Sequence, residues 1–347
     1  MTVAGTMRIE DESPRRASIH PIGTRMTPSP SKTAGETFGE PKGGDVEARV
    51  PSRNEARIAA ALVADKTTGG NLRWATDFYS PLGPGFEAAD ELTEDCTATI
   101  GSRPILIRTE RTRQDKIRRT RAQAEVFTPS WVCNEQNNLV DEAWFGRPSP
   151  FNDSSVGGWE TKRVRVEFPP GRDWKGYVDK RVLEVSCGEA PYLVSRYDAV
   201  TGDPIPLEER IGLLDRKLRV VRENAANEGE WDKWTQRAFE ATYGFDIQGD
   251  NVLLARENLL ATFDDHSVMR PGGSPSTSVR QSVANVICWN IFQMDGRTFE
   301  SPYASRPAAQ MSLFGESEGA LATEPIPCLI YDWRARKPVE YRSLLRR

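Results

Sequence analysis

Three short apolar runs, separated by stretches long enough for helices, constrain this chain more than any other feature. Val182-Leu183-Glu184-Val185 reads as a first strand and runs into a turn, Ser186 to Pro191. A helix-like Tyr192-Leu193-Val194 follows, then two longer helices. One, over 206–224, places Ile211, Leu214, Leu218 and Val221 on a single face; the other, over 230–241, carries Trp231, Trp234 and Phe239. Ala241 to Asp246 reads as a second strand. Asp250 is placed to cap a helix bearing Val252, Leu253, Leu254, Leu259 and Leu260. After a Gly/Ser/Pro loop at 265–280, Val286 to Phe292 reads as a buried third strand ending in Gln293-Met294-Asp295-Gly296. Strands alternating with helices imply an α/β fold with a doubly wound, mainly parallel sheet, here with a helical insertion between the first and second strands.

The first half is less regular. Residues 1–55 are rich in Ser, Thr, Pro, Gly and charge and show no hydrophobic period, so they read as a disordered tail. Asn54 to Asp65 has the pattern of a short helix, and 56–104 as a whole reads as a weakly ordered segment before the main domain at 105–347. Seven basic side chains crowd into 108–121. Thr128-Pro129-Ser130 is a helix start with Ser130 as cap, and Val132, Leu139, Val140, Ala143 and Trp144 recur at helical spacing behind it. Val164 to Phe168 alternates as a strand does.

Composition narrows the function. The net charge of −4, from 46 basic and 50 acidic side chains, means that any nucleic-acid surface must be local. No run approaches the ~20 apolar residues of a spanning helix, and the N-terminus lacks the apolar core of a secretory signal. Five scattered cysteines without a Cys-x-x-Cys pair suit reduced thiols and a cytoplasmic location. Only His20 and His266 are histidines, which argues against a histidine-based triad or metal site. His266, beside Asp264 and Asp265, reads as a solvated loop end, and no metal is expected.

In an open α/β sheet, ligands bind beyond the carboxyl ends of the strands. Three such ends carry suggestive groups. Gly188 allows close backbone approach at the first, Asp246 closes the second with an acid suited to ribose hydroxyls, and Asp295 closes the third. A turn and two acids at successive tips is what an adenosine-containing cofactor needs. The interval from Gly188 to Asp246, 58 positions, is far longer than the ~20 of the dinucleotide fingerprint because of the inserted helices.

Four segments then occur in order: Glu125-Val126-Phe127-Thr128-Pro129; Leu183-Glu184-Val185-Ser186-Cys187-Gly188-Glu189; Tyr243-Gly244-Phe245-Asp246 with Ala255-Arg256-Glu257-Asn258-Leu259-Leu260; and Asn290-Ile291-Phe292-Gln293-Met294-Asp295-Gly296. Over about 105–345 the chain resembles N6-adenine DNA methyltransferases of the gamma motif order, and more closely the restriction endonuclease subunit M proteins of bacterial restriction-modification systems. The resemblance implies a Rossmann-like class I methyltransferase fold that binds S-adenosyl-L-methionine. It implies that Phe127, Thr128 and Pro129 pack over the methionine part, and that Glu184 with Ser186, Cys187 and Gly188 forms the cofactor loop. Asp246 then binds the ribose, and Asp295 lies near the cofactor's adenine. Arg111, Arg113, Lys116, Arg118 and Arg119 would face DNA phosphate.

One motif departs from that pattern. Adenine methylation needs an acid or amide followed by Pro-Pro and an aromatic, because the exocyclic amine is a poor nucleophile and both its protons must be held while the flipped base is stacked. Phe168-Pro169-Pro170-Gly171 and Glu300-Ser301-Pro302-Tyr303 only approximate it. The expectation is therefore a cofactor-binding half whose catalytic motif and target recognition come from a second restriction-modification subunit. Two other readings compete. One is a magnesium-dependent endonuclease built on Asp153, Glu160 and Lys162; the other is a non-catalytic DNA-binding or assembly subunit in which Trp333 docks a second chain.

Overall fold

The computed structural model describes residues 2–4, 52–97, 105–123, 125, 126, 128–307 and 323–345. A first strand, β1 (Thr2–Ala4), precedes helix α1 (Arg53–Val63). That helix starts on a capping box in which the Ser52 side chain accepts from the Glu55 amide and the Glu55 carboxylate accepts from the Ser52 amide. Helices α2 (Arg113–Gln123) and α3 (Ser130–Phe145) follow, then the hairpin β2 (Asn152–Ser155) and β3 (Gly158–Thr161), and the short α4 (Trp174–Val178). The regular part runs β4 (Val182–Val185), α5 (Leu213–Asn224), α6 (Glu228–Glu240), β5 (Thr242–Asp246), α7 (Gly249–Ser267), α8 (Thr277–Asn290) and β6 (Ile291–Gln293). Two antiparallel hairpins close the chain: β7 (Glu300–Pro307) with β8 (Thr323–Pro327), and β9 (Leu329–Asp332) with β10 (Lys337–Glu340).

The fold is mixed α/β. Its main sheet has the order β1-β4-β5-β6 with every pair parallel. Leu183 pairs with Tyr243, Phe245 with Phe292 and Asp246 with Gln293, so the carboxyl ends of β4, β5 and β6 lie side by side. Alternation along the strands sorts the core into two layers. Val182 and Ile291 face Leu214, Leu218, Trp231, Phe239, Leu253, Phe263 and Ile287 from α5 to α8. Leu183, Tyr243, Phe245 and Phe292 face Cys328, Ile330 and Tyr341 from the C-terminal hairpin region. Both crossovers thus put their helices on one face, and β-structure covers the other.

Four expectations are corrected. Val286 to Asn290 belongs to α8, capped by Ser276, and only Ile291 to Gln293 is strand; a short buried apolar run has no period of its own to tell helix from strand. Residues 164–168 form no strand. Arg219 donates to the Lys162 and Val164 carbonyls and Glu223 accepts from the Val166 amide, so helix α5 takes the place of a neighbouring strand. Tyr192 to Val194 is a turn. The buried face of α3 is not the apolar one: Asn134, Asn137, Asn138 and Asp141 are buried while Leu139 is exposed. The reason is Arg216 of α5, fully buried, whose guanidinium donates to Asp141 at 2.7 Å and to Asn134 and Asn138 at 2.8 Å.

Residues 5–51, most of the tail, lie outside the described residues, but Thr2–Ala4 is a strand rather than a disordered segment. Residues 52–97 share a compact unit with the rest of the described chain, and Leu72, Trp74, Tyr79 and Leu92 are buried in its core.

Candidate functional site at the strand tips

The turn after β4 is wound tightly. Ser186, Gly188 and Ala190 all adopt left-handed backbone, with φ of 51°, 53° and 65°. Only the glycine does so without strain, and paired strain of this kind concentrates at ligand-binding turns. The turn is fastened to β5 from both sides. Cys187 donates its amide to the Phe245 carbonyl at 2.8 Å, and Gly188 donates to Asp246 Oδ2 at 3.0 Å. The other carboxylate oxygen, Oδ1, accepts from the Gln248 amide at 2.9 Å and from the Asn251 side chain at 3.5 Å. Burial pushes Asp246 up to about 6, against the amide hydrogen bonds from Gln248 and Gly188 that pull it down. Glu184, also buried, accepts from the Tyr192 and Leu193 amides, and burial raises it well above the usual carboxylate range.

Of the remaining residues expected at this site, Thr128 and Pro129 lead into α3, and Thr128 is linked towards Glu184 of β4 through Cys133. The Cys133 thiol donates to the Thr128 carbonyl at 3.7 Å, and burial together with the nearby Glu184 charge raises that thiol. Ser130 is the first residue of α3 and not its cap; its amide donates to Asp198 at 2.7 Å. Phe127 lies outside the described residues. Cys187 is buried, and burial lifts its thiol well above the ordinary range, so it fills the turn and is no nucleophile. Asp295 continues β6 beyond the tip: the preceding Met294 amide donates to the Asp246 carbonyl at 3.0 Å. The Asp295 carboxylate accepts from the Arg297 amide at 2.8 Å, which also makes it the clasp of its own turn. Gly188 and Asp246 are thus hydrogen-bonded to each other, and Asp295 sits at the adjoining tip.

Sequence reading missed the layer behind these tips. Asp250 is not the N-cap: it lies in the first turn of α7, whose cap position is Gln248, and its Oδ1 accepts from the neighbouring Asn251 amide at 2.9 Å. Fully buried, it accepts from Arg119 at 2.7 Å, Tyr79 at 2.9 Å and Arg111 at 3.4 Å. Burial works against its charge, but Arg119 and Arg111 hold the carboxyl below its usual range. Arg119 also bonds Glu125 at 2.9 Å and the Gln248 side chain at 2.7 Å. At the tip of β6, Gln293 mimics a strand neighbour, accepting from the Arg73 amide and donating to the Arg73 and Ile247 carbonyls. The sequence offers no periodicity for such links, since each joins residues 46 or more positions apart, except the short hop from Arg111 and Arg119 to Glu125.

The basic run divides. Arg111 and Arg119, expected to face DNA, are buried in this ion cluster and cannot reach phosphate. Arg113 and Arg118 of α2 are exposed and Lys116 is half-buried. Beside them Gln114, Ile117, Arg118, Arg121 and Ala122 line an open hollow of about 490 Å³. Arginines 111 and 119 therefore fasten α2 to the start of α7, just beyond Asp246, and leave its outer face cationic.

Neither competing reading gains a formed site. Asp153 and Glu160 face each other across the β2–β3 hairpin, and Lys162 pairs with Asp153 at 2.9 Å on the surface. No group of three or more His, Cys, Asp or Glu suited to a metal occurs among the described residues. Trp333 is half-buried and donates to Asn290 at 2.8 Å, so it is held within this chain. His266 is no solvated loop end: it is buried in α7, 3.4 Å from Asp215. Phe168 stacks on Phe145, and Ser301 to Tyr303 belong to β7, so neither proline segment forms a loop at the strand tips.

No helix among the described residues is long and apolar enough to cross a membrane. Compared with protein-family models, curated proteins and solved structures, the chain matches none.

Proposed function

We propose that this chain is the S-adenosyl-L-methionine-binding half of a bacterial restriction-modification N6-adenine DNA methyltransferase with a Rossmann-like fold, in which β-structure replaces the second helical layer of the doubly wound sheet expected from the sequence. A second subunit supplies the base pocket and target recognition. The observation that carries the reading is the hydrogen bond from Gly188 to Asp246, which joins a left-handed turn to an acid at neighbouring carboxyl ends of a parallel sheet. That is where open α/β sheets bind ligands.

The residues suit the group in one specific respect. With its acidity near 6, Asp246 is ionised at neutral pH and is then an acceptor only, as ribose hydroxyls require. Glu184 keeps the turn in shape by binding the Tyr192 and Leu193 amides. Thr128 and Pro129 close the methionine end, and Asp295 flanks the adenine end. When bound, S-adenosyl-L-methionine supplies a methyl group on a positively charged sulfur, whose transfer depends mainly on in-line positioning. Holding adenine's amino group falls to the partner, because the Asn-Pro-Pro-aromatic element is missing from this sequence.

Calorimetric titration with S-adenosyl-L-methionine tests the reading. Binding at pH 7.5 should weaken at pH 5.5 as Asp246 protonates, and should fall at least about tenfold in Asp246→Ala, the loss of a hydrogen bond to a charged group. No heat from the folded wild-type chain would favour the non-catalytic assembly subunit instead.

A further inference from the structure

We propose that Arg119 of α2 is the positioning residue of the strand-tip site: it holds Gln248 and Asn251 so that both aim their donors at Asp246. This role rests on the proposed reading of Asp246 as an acceptor for a ligand's hydroxyls, yet it shows in the free protein. Asp246 Oδ1 accepts from the Gln248 amide at 2.9 Å and from the Asn251 side chain at 3.5 Å. Arg119 grips both donors from behind. Its Nη2 donates to Gln248 Oε1 at 2.7 Å and to Asn251 Oδ1 at 3.4 Å. An arginine has donors and no acceptor, so it selects the oxygen of each side-chain amide. For Asn251 this turns Nδ2 toward the carboxylate. Gln248 stands at the N-cap position of α7, but its side chain makes no cap bond. The bond to Arg119 instead fixes the residue whose main-chain amide serves Asp246.

Helix α2 carries little else inward: among its described side chains Arg119 alone is buried. The guanidinium carbon lies 5.1 Å from the centre of the Phe78 ring, and its N–H groups are divided among Glu125, Asp250, Gln248 and Asn251. A planar fork with five donors serves so many acceptors at once. A lysine ammonium, a point charge with three donors on one atom, cannot reach both carboxylates and both amides. An ion pair that merely fastened α2 would need Glu125 and Asp250 alone. The bonds to Gln248 and Asn251 come in addition, and both lead to the same oxygen of Asp246.

The test follows the titration of Asp246 by carbon-13 NMR of the aspartate carboxyls in the full chain, the signal being assigned with Asp246→Asn. Gln248→Met keeps the length of the side chain and every ion pair of Arg119, but removes the acceptor. The Gln248 amide is then held less firmly, and Asp246 should titrate about one pH unit higher than in wild type, the order expected when a hydrogen bond to a charged group weakens. Arg119→Lys, which keeps a positive charge beside Asp250, should raise it similarly. Arg111 bonds Leu106, Glu125 and Asp250 but neither amide, so Arg111→Lys should leave Asp246 unmoved. Glu184, Cys187 and Asp250, the ionisable groups facing Asp246 from β4, the turn and α7, are present in every variant. An unmoved Asp246 in folded Gln248→Met or Arg119→Lys would overturn the proposal. So would an equal rise in Arg111→Lys, the mark of a general loosening of the ion cluster. Calorimetry with S-adenosyl-L-methionine is scored separately. The expected titrations without cofactor binding would count against the cofactor reading and leave the role of Arg119 standing, whereas binding with an unmoved Asp246 in Gln248→Met would do the reverse.

Discussion

Asp246 shows how one side chain can hold a turn and keep an acidity unlike that of a surface carboxylate. Its oxygens accept from the Gly188 and Gln248 amides, yet burial raises it to about 6, against about 3.9 in an unfolded chain. The folded state therefore binds more protons than the unfolded one between those values, and stability falls as pH rises through that window. The shift of about two units corresponds to roughly 3 kcal/mol, present below pH 4 and gone above pH 6. Urea denaturation from pH 4 to 7 should show wild type losing about that much relative to Asp246→Asn. Arg119 stabilises the fold at neutral pH, because its loss leaves two buried carboxylates, Glu125 and Asp250, sharing the longer ion pairs of Arg111 alone. Arg119→Ala should cost about 3–5 kcal/mol in the same assay at pH 7.

At the scale of elements, α2 and α3 both turn the expected faces around. A run of arginine and lysine normally marks a solvated or phosphate-binding helix, but α2 puts Arg119 inward and keeps Arg113 and Arg118 outward. If the outer face meets DNA phosphate, Arg113→Glu/Arg118→Glu should lower the slope of log binding constant against log salt by about 2, since each neutralised phosphate adds about 0.9 to that slope. Thermal unfolding should be little changed, since both side chains are exposed. Helix α3 was legible as a helix, starting at Ser130 as its proline signal indicates. Its buried face was not, because asparagines become core residues only where Arg216 arrives from α5 to satisfy them. Strands β4 and β5 were legible to within a residue for the converse reason: consecutive apolar side chains suit any strand buried on both faces.

At the scale of the molecule, the parallel strands bring 184–188, 246 and 295 to one end of the sheet, although more than 100 positions separate the first from the last. Under the proposed division of labour, the purified chain should bind S-adenosyl-L-methionine yet leave DNA adenine unmethylated. A radiolabelled methyl-transfer assay with and without the second subunit checks this, and transfer by the chain alone would sink the split-site reading. Local pattern alone determined the alternation of strand and helix, the two clearest strands, the turn at Gly188 and the acid at Asp246. Each rests on hydrophobic period or backbone freedom within a few residues. Tertiary structure decided which charges are buried, that 286–290 is helical, and that Asp250 anchors α2 instead of capping α7. Those outcomes depend on desolvation and on partners distant in sequence, such as Arg119 for Asp250, and no local spacing encodes them.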